Sequence, residues 1–103
     1  MRLPNAKTQE LAILREPKSP DADPAALALE ALGWILIDEN RAERLLSLTG
    51  LTPDDLRNGL RDHGILAAVL DFLAAHEPDL IDAAVALEVK PEALIRARQA
   101  LSP

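Results

Sequence analysis

The sequence predicts an all-α protein, a single compact bundle of five to six short helices with two helical-hairpin (helix-turn-helix-like) units. Three observations support this fold class. The apolar fraction is 49% and comes mostly from Leu, Ala, Ile and Val. Aromatic residues, which favour strands, make up only 2%, whereas Leu and Ala are strong helix formers. Prolines that follow capping residues recur between apolar segments of helical spacing, and this pattern marks successive helix starts.

The division of the chain follows from its prolines and its length. A chain of 103 residues has room for one hydrophobic core. The first 22 residues contain Pro4, Pro17 and Pro20 and few bulky apolar groups, so a helix there would be too short to be stable alone. We therefore predict a flexible N-terminal tail over residues 1–22 and a helical domain over residues 23–103.

Charge and residue content narrow the classes of function. The formal net charge of −6 opposes binding to phosphate backbones and anionic membranes. The chain has no cysteine, which excludes disulfides and thiolate chemistry and fits a reducing compartment. Its start has too short an apolar run for a secretory signal, and its longest apolar run is well below the roughly 20 residues that cross a bilayer. We expect a cytoplasmic protein without a membrane partner.

The first helix begins with Asp23 as the cap and Pro24 in the first turn, and it should run to about Asp38. Apolar residues occupy most of its circumference, so other helices are expected to surround it. This helix is the predicted hub of the bundle. Trp34 lies within it and is expected to be a core residue.

The next two helices carry their own capping signals. Asn40, with Glu43 three residues later, is the predicted cap of the second helix, which Gly50 ends. Thr52 is the predicted cap of the third helix, followed by Pro53 in the first turn and by two acids that meet the positive helix end.

Three further helices are predicted by apolar spacing and proline positions. The fourth runs from Ile65 to about Ala75, the fifth starts at Pro78, and the sixth starts at Pro91. The segments GLTPDDLR and EVKPEALI, which lie 38 residues apart at Gly50 and Glu88, share an apolar residue, a cap position, a proline, an acid and a leucine. Two copies are too few for a solenoid, so we interpret them as two helical hairpins of similar design.

Four segments in this order carry a family resemblance: LALEALGWILI, LTGLTPDDLR, ILAAVLDFLAAHE and VKPEALIRARQAL. The chain resembles a small bacterial family of uncharacterised all-helical proteins, a domain of unknown function, over roughly Pro24 to Leu101. The resemblance implies a compact helical fold and brings no activity with it. It also implies a glycine at the turn position that Glu88 occupies here.

The second hairpin has the apolar positions of a DNA-reading helix-turn-helix, and this is the alternative function. The segment has a small residue before the turn, apolar residues on both sides of the turn and apolar anchors after it. However, Glu88 stands where glycine is favoured, and Lys90 stands where a capping side chain is favoured. The residues that would contact nucleic acid under this alternative are Arg57, Asn58, Arg61, Lys90 and Arg96.

Reactive constellations are not evident in the sequence. His63 and His76 are thirteen residues apart, on either side of the fourth helix; we expect His76 to complement the negative end of that helix and His63 to lie in an exposed turn. No Gly-rich phosphate loop or nucleophile motif occurs. We therefore predict no catalytic residue, no metal ligand and no cofactor, and an enzyme is the weakest of the three hypotheses.

The function that the sequence favours is a non-catalytic protein-interaction module. A small Leu- and Ala-rich helical domain tends to leave some apolar surface exposed, and such surfaces bind proteins. Ile81, Ile95 and Leu101 are the predicted contacts with a protein partner or with a second copy of the chain. Nucleic acid binding remains the alternative.

Overall fold

A computed structural model describes residues 23–102, most of which lie in helices. The six helices are α1 (Pro24–Ile37), α2 (Glu39–Thr49), α3 (Pro53–Asn58), α4 (His63–Ala74), α5 (Glu77–Leu87) and α6 (Pro91–Leu101). No strand occurs within this described part of the chain. The predicted all-α bundle is confirmed. The predicted tail, residues 1–22, lies outside the described residues.

Two helices share the centre of the bundle. Both α1 and α4 pack on α2, α5 and α6, and they also pack on each other. The largest fully buried side chains are Ile35, Leu45, Leu66, Leu70, Leu73, Leu94 and Val69. The expectation that neighbours surround α1 is wrong on one side, because Leu29, Leu36 and Ile37 are exposed there. The apolar circumference of α1 therefore forms part of the protein surface as well as the core.

A single residue, Asp38, joins α1 to α2 and caps both. Its backbone is extended (φ −108°, ψ 121°), and its carboxylate accepts a hydrogen bond from the Arg41 backbone N–H at 3.1 Å. The predicted cap, Asn40, is wrong, because it already lies inside α2 and its side chain comes too late to meet the first amides. The Arg41 guanidinium also stacks on the Trp34 ring, 3.7 Å from the ring centroid. Trp34, the predicted core residue, packs against the core but is only partly buried.

The turn from α2 to α3 follows the sequence signals. Gly50 ends α2 in the left-handed conformation (φ 77°). Thr52 Oγ1 accepts a hydrogen bond from the Asp55 N–H at 3.0 Å, and Asp55 Oδ2 accepts one from the Thr52 N–H at 2.9 Å. Thr52 is thus the cap, as predicted, and the reciprocal pair forms a capping box. Gly59 then ends α3 where a Cβ would lie 2.7 Å from the Asp55 carbonyl oxygen, so glycine is needed there for close packing.

The second half of the chain contains α4 and the α5–α6 hairpin. The carboxylate of Asp62 caps α4 by accepting from the Gly64 N–H at 2.8 Å, so α4 begins at His63, before the predicted Ile65. The helix α5 begins at Glu77, one residue before the predicted Pro78. Glu88 ends α5 in the left-handed conformation (φ 60°, ψ 41°), and α6 begins at Pro91 as predicted.

Candidate functional site

A mostly apolar groove opens between α2 and α4. Its volume is about 540 Å³. We call it the α2–α4 groove, and its lining residues are Arg44, Leu48, Thr49, Ala68, Asp71, Phe72, Ala75 and His76. Phe72 is buried and contributes to the floor, whereas the Leu48 side chain at the rim is 74% exposed. A volume of this size lies in the range of ordinary ligand pockets, roughly 300–1,000 Å³.

Two residues that line the groove, Arg44 and His76, share one buried carboxylate partner and form the polar part of the groove. The carboxylate of Asp79, on α5, accepts a hydrogen bond from Arg44 Nη1 at 2.7 Å, and His76 Nδ1 lies 3.1 Å from the same oxygen. Asp79 is only 7% exposed, which makes it the one buried polar or charged residue among those described. The Arg44 guanidinium also lies 5.9 Å from the centre of the Phe72 ring. Arg44 therefore links the apolar floor to the polar part of the groove.

The protonation of Asp79 follows from its neighbours. Burial by itself would raise the pKa of Asp79, but the hydrogen bonds and charges of Arg44 and His76 outweigh it and hold that pKa below its usual range. The hydrogen bond to Asp79 in turn raises the pKa of Arg44. The pair is therefore ionised at neutral pH. Its contribution to stability is complete above the unfolded-state pKa of Asp, about 3.9, and is lost as the pH falls through the lower folded-state pKa.

The remaining polar groups of the groove already have partners. Asp71, on the α4 wall, is hydrogen-bonded to the Nε of Arg98 on α6. The Thr49 hydroxyl donates to the Leu45 carbonyl oxygen at 2.6 Å and accepts from the Leu51 N–H at 3.1 Å. The groove thus offers apolar contact area between polar groups that already have hydrogen-bond partners.

The three predicted protein contacts have different positions in the structure. Ile81, on α5, is 44% exposed, and Ile95, on α6, is partly buried. Leu101 is only 5% exposed, so the expectation that it lies on the surface is wrong. It follows Leu94 by seven residues and Ala97 by four, and this spacing places it on the face of α6 that packs into the core. None of the three lines the α2–α4 groove.

The residues predicted to contact nucleic acid are all exposed but lie on two separate hairpins. Arg57, Asn58 and Arg61 belong to α3 and the turn after it, and Arg57 forms an ion pair with Asp54. Lys90 and Arg96 belong to the turn before α6 and to α6 itself, and both are exposed. The main neighbours of α6 are α1, α4 and α5, so its packing does not bring the two sets together.

The structure places both histidines at helix ends. His63 is exposed, as predicted, but lies at the first position of α4 and not in a turn. His76 directly follows the end of α4, and its Nδ1 also lies 3.1 Å from Asp79 Oδ2 at the start of α5, a contact that the sequence did not predict. Within residues 23–102, no cluster of three or more His, Cys, Asp or Glu residues could hold a metal ion.

Sequence reasoning missed both the groove and Asp79. The groove depends on how far apart α2 and α4 lie, which residue spacing along one helix does not reveal. A signal for Asp79 was present, since it precedes Ala83 by four residues and Leu87 by eight and so shares the buried face of α5.

The family can be assigned once this helical fold is in view. A family model described as "Protein of unknown function (DUF3572)" matches residues 21–103. The chain belongs to the DUF3572 family. It matches no curated protein and no solved structure at a significant level. Among the described residues of this family member, no helix is both long enough and apolar enough for a membrane crossing.

Proposed function

We propose that this DUF3572 protein is a non-catalytic interaction module of the bacterial cytoplasm, and that its α2–α4 groove binds an apolar helical segment of a protein. One observation carries the proposal: Leu48, a large apolar side chain that is 74% exposed, stands at the rim of an apolar groove of about 540 Å³. Covering such a side chain removes apolar surface from water at about 25 cal/mol per Å².

The position of the groove between two helices supports a helical occupant. Its walls are α2, which contributes Leu48, and α4, which contributes Ala68. An amphipathic helix can place its apolar face between two such walls and present anchors at intervals of three and four residues. Small residues on the α4 wall, Ala68 and Ala75, leave room for these anchors. The charged groups of the polar part already form ion pairs, so an apolar occupant need not satisfy a buried charge.

A second apolar surface is the competing location for the same function. Ile81 and Val85 lie four residues apart on α5 and are both exposed, so they share one face of that helix. This surface includes one of the residues that the sequence predicted. The chain therefore provides a matched pair of probes, because Leu48 is 74% exposed and Val85 is 73% exposed.

Selection of peptides from a random helical library tests the proposal and locates the surface. We expect the wild-type protein to select peptides with leucine-type anchors at helical spacing. Leu48→Arg should abolish their binding, and Val85→Arg should leave it unchanged. Loss of binding in Val85→Arg alone would assign the function to α5 instead of the groove. Failure to select any peptide with helical anchor spacing would refute the proposal.

DNA binding is the second candidate because the α5–α6 hairpin has features of a helix-turn-helix. Glu88 has a positive φ of 60° at the position where glycine is favoured. The five anchor positions of the pattern are either buried or packed against the core, namely Ala84, Leu87, Val89, Leu94 and Ala97. Lys90 and Arg96 are exposed on the same hairpin, whereas Glu92 places a negative charge at the start of α6.

Titration with random-sequence duplex DNA at two salt concentrations tests this candidate. Phosphate contacts would make the affinity fall steeply as salt rises. Replacement of Lys90 and Arg96 by Gln should then reduce both the affinity and its dependence on salt. Absence of binding at low salt would eliminate the DNA-binding candidate and leave protein binding as the proposed function.

A further inference from the structure

One face of α1 is left exposed by the described residues. It carries Ala26, Leu29, Gly33 and Leu36, which follow one another at intervals of three and four residues and are all exposed. We call this face the α1 stripe. On its other sides α1 packs on α2, α4, α5 and α6. A helix that is apolar on every side is normally covered on every side, so the α1 stripe has the composition of a packed surface.

Gly33 gives a second reason to expect close packing on this face. It lies inside a helix of 14 residues, where glycine is less favourable than alanine. A Cβ built at Gly33 would meet no atom within 4 Å, so packing inside the bundle does not require glycine there. Close approach of another group to the backbone is a physical reason for glycine at such a position. Gly33 thus leaves room for a second segment directly on α1.

We infer that residues 8–15 of this chain, TQELAILR, form a short helix that docks on the α1 stripe, with Leu14 beside Ala26 and Leu11 beside Leu29 and Gly33. A helix that ends before Pro17 is too short to be stable alone, and the α1 stripe supplies the packing that it needs. The contact uses a different surface from the α2–α4 groove, so it stands or falls independently of the proposed function.

The covalent connection identifies this segment as the occupant. Residues 16–22 join it to Asp23, the cap of α1, and a connection of seven residues lies within the usual range for neighbouring helices, roughly two to eight. Pro17 and Pro20 in this connection prevent one continuous helix. Because the segment is tethered at the end of α1 where the stripe begins, its effective concentration there is roughly millimolar. This favours it over a separate chain that offers the same apolar contacts.

The lengths and spacings of the two elements match. A helix of eight residues is about 12 Å long, and α1 rises about 15 Å from Ala26 to Leu36. Leu11 and Leu14 are three residues apart, as are Ala26 and Leu29, so the two pairs have the same rise when the helices run in opposite directions. One leucine then meets the small side chain of Ala26, and the other lies over the open backbone of Gly33.

Charge complementarity favours the same contact. Residues 1–20 carry four basic and two acidic side chains, a net charge of +2, so residues 21–103 carry −8 of the total of −6. Glu30, next to Leu29 in α1, lines one small cavity together with Glu88. Lys7 lies one turn before Leu11 in the segment. A basic segment is attracted to this acidic helical domain, whereas the helical domain of a second copy is repelled by it.

Amide hydrogen exchange in the full chain, followed by NMR, tests the inference. In a docked helix over residues 8–15 the amides of Ala12 to Arg15 are hydrogen-bonded, so we expect them to exchange at least about tenfold more slowly than in an unstructured chain. The protection should not change with protein concentration, because the contact lies within one chain. Exchange at the unstructured rate, or protection that grows with concentration, would overturn the inference.

Two matched pairs of variants locate the contact. Leu29→Arg should remove the protection and Leu60→Arg, in the turn after α3, should retain it, although the two leucines are similarly exposed, at 39% and 43%. On the segment, Leu11→Arg should remove the protection and Ile13→Arg should retain it, because two residues are about 200° apart around a helix. Slow exchange of the buried Leu70 amide confirms that each variant is folded. Equal protection within either pair of folded variants would refute docking on α1.

Nuclear Overhauser contacts determine the register. We expect cross-peaks between the Leu11 methyl protons and the Gly33 α-protons, and between the Leu14 methyl protons and the Ala26 methyl group. Cross-peaks from these leucines to a different surface of the bundle would contradict the inference. Either outcome leaves the selection of peptides by the α2–α4 groove to be decided by its own experiment.

Discussion

The two proline-initiated segments, at residues 50–57 and 88–95, begin alike and end differently. Each starts with a left-handed residue, Gly50 or Glu88, and each places proline at the first helical position. The first segment has a complete capping box, yet its helix α3 has only 6 residues. The second has no side-chain cap at Lys90, yet its helix α6 has 11 residues.

Burial explains the difference in length. Along its whole length α6 buries apolar side chains, namely Ala93, Leu94, Ala97 and Leu101. The short helix α3 buries only Leu56 and is followed by Gly59, where the close approach of Ile65 leaves no room for a side chain. A side-chain cap is therefore neither required for a long helix nor sufficient for one in this protein, whereas packing against α1 and α4 sets how far α6 continues.

The largest expected effect is at the leucine that the two segments share. Leu94→Ala should reduce the free energy of unfolding by about 2–5 kcal/mol, because Leu94 is fully buried and its removal leaves a cavity. Leu56→Ala should cost less, near the lower end of that range, because α3 has fewer neighbours. Urea denaturation at equilibrium measures both. Equal losses would mean that packing does not distinguish the two helices.

The second-largest effect is expected at the ion pair between Arg44 and Asp79. This pair joins α2 to α5, the first helices of the two hairpins. Asp79→Asn should lower the free energy of unfolding at neutral pH by about 1–3 kcal/mol, the typical cost of an unsatisfied buried group.

The effect of this substitution should depend on pH in a defined direction. Arg44 and His76 hold the pKa of Asp79 below its usual range, so the contribution of the ionised carboxylate is complete above about pH 4 and is lost as the pH falls further. The difference in unfolding free energy between the wild type and Asp79→Asn should therefore shrink at acid pH. A difference that stays constant down to strongly acid pH would contradict the assignment.

A smaller effect should have opposite signs in the two turns. Gly50→Ala should destabilise the protein by about 1–2 kcal/mol, because a side chain is strained at positive φ. Glu88→Gly should stabilise it by about 0.5–1 kcal/mol, because glycine relieves that strain. Thermal and urea unfolding of both variants provide the measurement. Destabilisation by Glu88→Gly would show that the Glu88 side chain has a stabilising contact.

The smallest effect should come from adding a side-chain cap to α6 and removing one from α3. Lys90→Ser should stabilise the start of α6 by about 0.5–1 kcal/mol, since its side chain could accept a hydrogen bond from the first turn. Thr52→Ala should destabilise α3 by about 1 kcal/mol, since it removes half of the capping box. Amide hydrogen exchange in the first turn of each helix gives a local measurement. If the exchange rates in both first turns stay unchanged, side-chain caps do not stabilise the start of either helix.

The predictable part of the fold is the part that local chemistry determines. Helix starts were predicted correctly at Pro24, Pro53 and Pro91, because the fixed φ of proline acts within one turn. At the first two starts, the acceptor side chain of Asp23 or Thr52 acts over the same short range. The cap of α2 was placed wrongly at Asn40 because two acceptors compete there and only the backbone angles of Asp38 decide between them.

The candidate site was less predictable because it depends on distances between helices. No residue pattern within α2 or α4 indicates how wide the gap between the two helices is. Both Leu48 and Phe72 line that gap, but Leu48 is exposed and Phe72 is buried. Periodicity placed Leu101 on the same face of α6 as Leu94 and Ala97, and the error was to expect that residue at the surface. Helix faces can be read from one segment at a time, whereas grooves require the whole assembly.

The one-residue joint at Asp38 determines which way the α2 wall points. A helix turns by about 100° per residue, so inserting one residue at this corner would rotate every side chain of α2 by that angle. Arg44 would swing away from Asp79, and Leu48 would turn away from the groove that it lines. The orientation of the groove is thus tied to chain length at a corner outside its lining, where an insertion or deletion would be far less tolerated than a substitution.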